Sequence, residues 1–119
     1  MTRVLLVDDE PEMLEAWSFA LEFAGYDVDL ARNGHQALEA IGTRRPDLVI
    51  TDLMMPGMGG EDLCRALRES REWSDIPVLL HSSAHIGATT ASPRLWDAVL
   101  RKPAQMAALL ATIEKLTRR

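Results

Sequence analysis

The sequence predicts an α/β fold built on a parallel sheet, and three observations carry that prediction. Residues 4–7, 48–50, 78–80 and 98–100 are short, continuously apolar runs of strand length. Strands buried on both faces of a parallel sheet read this way. Amphipathic stretches of helix length separate them, so strand and helix alternate along the chain. Finally, residues capable of chemistry follow the strands: Asp8-Asp9, Asp52, Ser82-Ser83 and Lys102-Pro103.

Each element has its own justification. After the first strand, Met13, Leu14, Trp17, Ala20, Leu21 and Ala24 recur at helical spacing opposite Glu12, Glu15 and Glu22. Pro11 suits the first turn of that helix and Gly25 its C′ position. Residues 26–30 alternate apolar and polar, as a strand nearer a sheet edge does. Asn33 suits the cap of a second helix carrying Ala37, Leu38 and Ile41. A third helix follows Gly59-Gly60 with Leu63, Ala66 and Leu67. Residues 85–95, "HIGATTASPRL", hold a glycine, two consecutive threonines and a proline, which predict a short, irregular or partly melted fourth helix. The last helix opens near Pro103 and carries Met106, Leu109, Leu110, Ile113 and Leu116. The order is β-α five times, with right-handed crossovers.

Composition narrows the function. A chain of 119 residues, 47% hydrophobic and 26% charged, fits one globular domain over residues 1–119. Such a chain buries roughly two thirds of its unfolded surface. The net charge of −5 argues against a direct nucleic-acid surface, which needs a basic stripe. Cys64 is the single cysteine, so neither an internal disulfide nor a cysteine metal site is expected. No apolar run approaches the ~18 residues of a membrane span, and the first strand begins too early for a signal peptide. The expectation is a cytoplasmic domain without a membrane partner.

Ligands of open parallel sheets bind beyond the carboxyl ends of the strands. The carboxylates of Asp8, Asp9 and Asp52, a serine hydroxyl and the Lys102 ammonium therefore collect at one edge. Two like charges about 4 Å apart cost roughly 4 kcal/mol at an effective dielectric of ~20. Converging carboxylates thus call for a cation, and an oxygen-only ligand set suits Mg²⁺. A carboxylate beside Mg²⁺ can attack a phosphoryl group and form an aspartyl phosphate. Lys102 and a serine would then hold the phosphoryl oxygens. Glu10 reads more simply, as a first-turn acid favoured by the helix dipole.

The segments "VLLVDDEP", "PDLVITDLMMPGMGG", "IPVLLHSSA" and "RKP", in that order, resemble the receiver domain of two-component response regulators over essentially the full chain. The resemblance implies a flavodoxin-like, doubly wound five-stranded parallel sheet of order 2-1-3-4-5 with five helices on its two faces. It implies that a histidine kinase or phosphotransfer protein donates a phosphoryl group to Asp52, changing the binding of a downstream protein. Asp9 would then bind Mg²⁺ directly together with Asp52 and the backbone carbonyl of Met54, and Asp8 through water. Lys102 would pair with the phosphoryl oxygens, and the Lys102–Pro103 peptide would be cis. The domain would be a phosphoacceptor rather than an enzyme, with self-catalysed phosphoryl gain and loss and a phosphorylation-dependent dimer both left open.

The switch hydroxyl is ambiguous by one register. Counting from Pro77 favours Ser82, while the Ser-Ala pair that the family often shows is Ser83-Ala84. A one-residue shift reverses the face of a strand, so the two serines cannot be equivalent. The family also usually carries Tyr or Phe three residues before its conserved Lys, where this chain has Val99. A branched valine cannot report a switch by swinging a ring. The interval from Ser82 to Lys102 is about two residues shorter than the family's, and Ala104 stands where Phe is common. These departures predict a domain that accepts phosphate but transmits it differently, by ordering the fourth-helix segment or through another face. The alternative is a phosphorylation-independent pseudo-receiver acting as an interaction module. A haloacid-dehalogenase-type phosphatase fits neither "TDLM" nor the chain length. Trp17 reads as core, Met54, Met55 and Met58 as loop packing, Cys64 as a structural or semi-exposed thiol, and His35, His81 and His85 as without catalytic role.

Overall fold

A computed structural model of the chain describes residues 1–83 and 95–118. Five parallel strands, β1 (Arg3–Val7), β2 (Asp27–Ala31), β3 (Leu48–Thr51), β4 (Val78–Ser82) and β5 (Ala98–Arg101), form one sheet of order β2-β1-β3-β4-β5. The described residues contain four helices, α1 (Pro11–Phe23), α2 (Gly34–Thr43), α3 (Gly60–Glu69) and α4 (Met106–Thr117). The irregular fourth helix expected within residues 85–95, and His85 with it, lies outside the described residues except for Leu95. The fold class and strand order are those the sequence implies. The differences are at ends: β2 starts one residue late, at Asp27, and the last helix opens at Met106 rather than near Pro103.

Alternation along the strands sorts the core into two layers. Leu5, Val7, Val49 and Val78 pack with Ala37 and Ile41 of α2 and Leu63 and Leu67 of α3. Val4, Leu6, Leu48, Ile50 and Leu79 pack with Leu14, Trp17 and Leu21 of α1 and Leu109 and Ile113 of α4. The helix signals operate as expected. Asn33 caps α2 by accepting a hydrogen bond from the Gln36 N–H at 2.9 Å. Gly25 ends α1 with φ of 101°, a conformation that costs glycine little. Arg68 of α3, which the sequence did not single out, fastens the entries of β4 and β5. Its guanidinium donates to the carbonyls of Ser74, Ile76 and Leu95 and pairs with Asp97 at 3.0 Å. Cys64 is fully buried in α3, and burial pushes its thiol up to about 12.

Candidate functional site

The backbone ladder runs one residue past three strands, and that residue is a candidate of the site each time. The Asp8 N–H donates to the Ala31 carbonyl at 3.1 Å, the Asp52 N–H to Val7 at 3.1 Å, and the Lys102 N–H to Ser82 at 2.9 Å. Asp8, Asp52 and Lys102 each lie two positions after an α1-layer residue, namely Leu6, Ile50 and Leu100. Strand alternation therefore aims all three toward α1. Their backbones are held by the sheet ladder itself.

At this edge the Lys102 ammonium meets three carboxylates: Asp8 Oδ2 at 2.9 Å, Glu10 Oε1 at 2.9 Å and Asp52 Oδ2 at 3.0 Å. Asp8 is 2% exposed and Asp52 7%, so two of the acids are desolvated. Burial holds the Asp8 carboxyl above the ordinary value of 3.8, against the opposing pull of Lys102 and the Glu10 N–H. Burial alone would lower the Lys102 ammonium, but its hydrogen bonds to Asp8, Glu10 and Asp52 outweigh that and raise it above the usual lysine range. One cation among three anions leaves the cluster two charges short of neutral.

Glu10 corrects the sequence reading. It is the N-cap of α1 rather than a first-turn residue, it makes no side-chain cap bond, and its carboxylate reaches Lys102. Asp8, Glu10 and Asp52 each bring one oxygen to within 4.8 Å of the others. A hard, oxygen-only anionic set of this size fits Mg²⁺. Asp9 stands outside that trio. It is half-buried and lines an adjoining groove of about 340 Å³ with Arg32, Asn33, Gln36 and Pro56. Because the Glu10 side chain is 60% exposed, its leg of the ion pair is screened. Glu10→Gln is expected to change stability by less than about 1 kcal/mol in urea unfolding. A larger loss would mean that Glu10 holds the cluster together.

The remaining candidates separate by burial. Ser82 is the last residue of β4 and 1% exposed, whereas Ser83 lies beyond the strand and is exposed. Val99 pairs with Leu80 on the edge strand β5 and is 43% exposed. In the loop after β3, Met55 is in the core and Met58 is half-buried against α2, but the Met54 side chain is 68% exposed and does not pack. The Met54 N–H points back to Asp52 Oδ1 at 3.4 Å. The Lys102–Pro103 peptide is cis.

His81 is the second residue whose surroundings the sequence did not reveal. It is 2% exposed, and its ring stacks on Trp17 of α1 with centroids 4.1 Å apart and planes 27° from parallel. Its signal was legible in principle as a polar residue on the same alternation as Leu79, inside an apolar strand. Burial, then the Lys102 charge, lowers the imidazole to about 4 from 6.5, while Asp52 and Glu10 act in the opposite direction. The unfolded chain therefore binds the proton first as the pH falls. Stability from this group is full above pH 6.5 and declines toward pH 4, by on the order of 3 kcal/mol. Asp8 offsets part of this just above pH 3.8, because its raised value makes the folded form the better proton acceptor. Urea midpoints at pH 7 and 4.5 are expected to fall in the native protein and to fall less in His81→Leu. Equal slopes would contradict the assignment.

Comparison with known proteins places the chain among related sequences and structures. The family profile described as "Response regulator receiver domain" matches residues 4–114. The response regulator MprA of Mycolicibacterium vanbaalenii is 37% identical over an alignment of 122 residues, covering 98% of this chain and 51% of that protein. This chain thus spans about half the length of that curated relative. Among solved structures, the response regulator TrrA of Thermotoga maritima, in complex with Mg²⁺-BeF, superposes with a TM-score of 0.87 at 31% identity, covering 98% of this chain and 99% of that one. The chemotaxis protein CheY4 of Vibrio cholerae gives 0.90 at 29% identity, covering 98% of each chain. No helix among the described residues is long and apolar enough to cross a membrane.

Proposed function

This chain belongs to the response regulator receiver domain family, and from that premise we propose that Asp52 accepts a phosphoryl group from a histidine kinase or phosphotransfer protein. The observation that carries the proposal is the Asp52 carboxylate itself. It is 7% exposed, anchored one residue beyond a central strand, and 3.0 Å from the one ammonium of the cluster. An Asp52 oxygen attacks phosphorus, the donor's phosphorus–nitrogen bond breaks, and the departing imidazole keeps the bonding pair. When bound, Mg²⁺ supplies positive charge against the phosphoryl oxygens and the clustered acids.

The residues assigned to hold the metal are Asp9, Asp52 and the Met54 backbone carbonyl, with Asp8 acting through water. Asp9 supports this from its place in the chain between Asp8 and Glu10, and Asp8 and Asp52 from their oxygen-only chemistry. Lys102 then exchanges carboxylate contacts for phosphoryl oxygens, stabilising charge in a largely desolvated position. Ser82 is the assigned switch hydroxyl rather than Ser83, on the strength of its burial and its place in the ladder beside Lys102. The output is a changed affinity for a downstream protein, on the cytoplasmic side where a kinase presents its phosphohistidine.

The interaction-module reading draws its support from Val99, which is exposed and carries no ring. Beryllofluoride, an acyl-phosphate mimic, separates the two. With Mg²⁺ present, the native protein is expected to show a protein-bound resonance in fluorine NMR that Asp52→Asn abolishes. A bound resonance that survives Asp52→Asn, or none in the native protein, would contradict the phosphoacceptor reading.

A further inference from the structure

The Trp17–His81 stack is left unused by phosphoacceptor chemistry, yet the charges of Lys102, Asp52 and Glu10 act on its imidazole. His81 Nε2 is buried without a hydrogen-bond partner among the described residues. A leucine at this position would avoid that cost, so the imidazole calls for an account. Along the chain, His81 immediately precedes Ser82. Across the ladder it pairs with Leu100, two residues before Lys102. Across the layer its ring meets Trp17 in the middle of α1, the helix whose N-cap residue Glu10 is bonded to Lys102. The charges acting on it from the packed elements are Lys102, Asp52 and Glu10, all members of the site.

We propose that His81 is a positioning residue whose stack on Trp17 couples the state of the phosphorylation site to α1. The proposal rests on the phosphoacceptor reading above. Strand alternation puts His81 on the α1 face of β4, the face toward which Asp52 and Lys102 are aimed. A movement of the end of β4, whose Ser82 carbonyl accepts the Lys102 N–H, therefore shifts the imidazole against the indole. Through Trp17 the shift reaches α1, which begins at the acids of the site and exposes Phe19 and Phe23 on its outer side at 73% and 89%. Val99, exposed on β5 and lacking a ring, offers no equivalent link. Such coupling is reciprocal: if loading the site disturbs the stack, the stack sets how readily the site loads.

The test uses the full chain with Trp73→Phe and Trp96→Phe, so that Trp17 is the sole indole. Beryllofluoride is titrated in with Mg²⁺ while bound ligand is followed by fluorine NMR and Trp17 by its emission. The expected result is an emission change that tracks occupancy. In His81→Leu that change is lost and the affinity falls about fivefold, the low end of ordinary allosteric coupling. Adding Trp17→Phe to His81→Leu is expected to weaken binding no further, since partners in one interaction are non-additive. His81→Phe keeps a stacking ring and is expected to retain both the emission change and the affinity. Full occupancy with unmoved Trp17 emission, unaltered affinity in His81→Leu, or loss of coupling in His81→Phe would overturn the coupling alone. Absence of bound beryllofluoride in the native protein would overturn the phosphoacceptor reading and the coupling with it.

Discussion

Lys102→Met is expected to cost about 3 kcal/mol of folding stability without divalent cation, and to regain much of it when Mg²⁺ is added. The lysine side chain is 9% exposed and lies 2.9 to 3.0 Å from three carboxylates, two of them buried. Removing it leaves Asp8 and Asp52 desolvated beside each other with no opposing charge. Breaking one side of a buried ion pair typically costs 3–5 kcal/mol. The exposed Glu10 leg adds little, which keeps the expectation near the lower figure. A ligand at a hundredfold excess over its dissociation constant contributes about 2.7 kcal/mol in any protein it binds only when folded. In the variant no ammonium competes for the carboxylates, so the Mg²⁺-dependent rise in melting temperature is expected to exceed that of the native protein. A variant as stable as the native protein in chelator would show that the three contacts are not energetically coupled.

Gly60→Ala is expected to be nearly as damaging, by about 3 kcal/mol, although the glycine has no chemistry of its own. Gly60 opens α3, and its N–H is bonded to the Leu53 carbonyl at 2.9 Å. A Cβ at this position would overlap the Asp52 carbonyl oxygen and lie 2.9 Å from the Leu53 Cα. Those neighbours are backbone atoms of Asp52 and of the residue that follows it, so they cannot give way without moving Asp52. The variant should therefore lose beryllofluoride affinity along with stability. Gly34→Ala is the comparison: its Cβ would come within 2.5 to 2.8 Å of Met58 side-chain atoms rather than of backbone, and a smaller change is expected. Comparable urea midpoints for the two variants would refute this distinction.

Much of this fold was legible because its signals are local. The buried strands are unbroken apolar runs, Asn33 and Gly25 mark helix ends by their own chemistry, and the candidate residues Asp8, Asp52 and Lys102 follow directly on their strands. Where the sequence reading strayed, the deciding contact was made by distant residues. Glu10 looks like an ordinary helix-start acid until β5 brings Lys102 to it across 92 positions of sequence. His81 looks incidental until α1 lays Trp17 on its ring. Counting from Pro77 favours Ser82 over Ser83, but the point where β4 stops, at Ser82, could not be read from spacing. Arg68 went unnoticed for the same reason, since its partners arrive only when α3 packs beside the start of β4. Asp9 shows the converse: the sequence pairs it with Asp8, yet the turn into α1 places it in the adjoining groove and gives Glu10 the place beside Asp8 and Asp52.

The arrangement of Asp8, Asp52 and Lys102 also explains why two buried carboxylates can stand together. The sheet holds their backbones and the ammonium offsets part of their repulsion, which leaves a deficit of positive charge that a hard cation suits. Everything in the functional reading depends on Asp52 being the nucleophile. The direct measurement is the intact mass of the protein after incubation with Mg²⁺ and a small acyl-phosphate donor, taken at short intervals. The account predicts a gain of one phosphoryl group in the native protein that disappears in chelator and in Asp52→Asn. An adduct of the same mass in Asp52→Asn, or no adduct at any interval in the native protein, would contradict it.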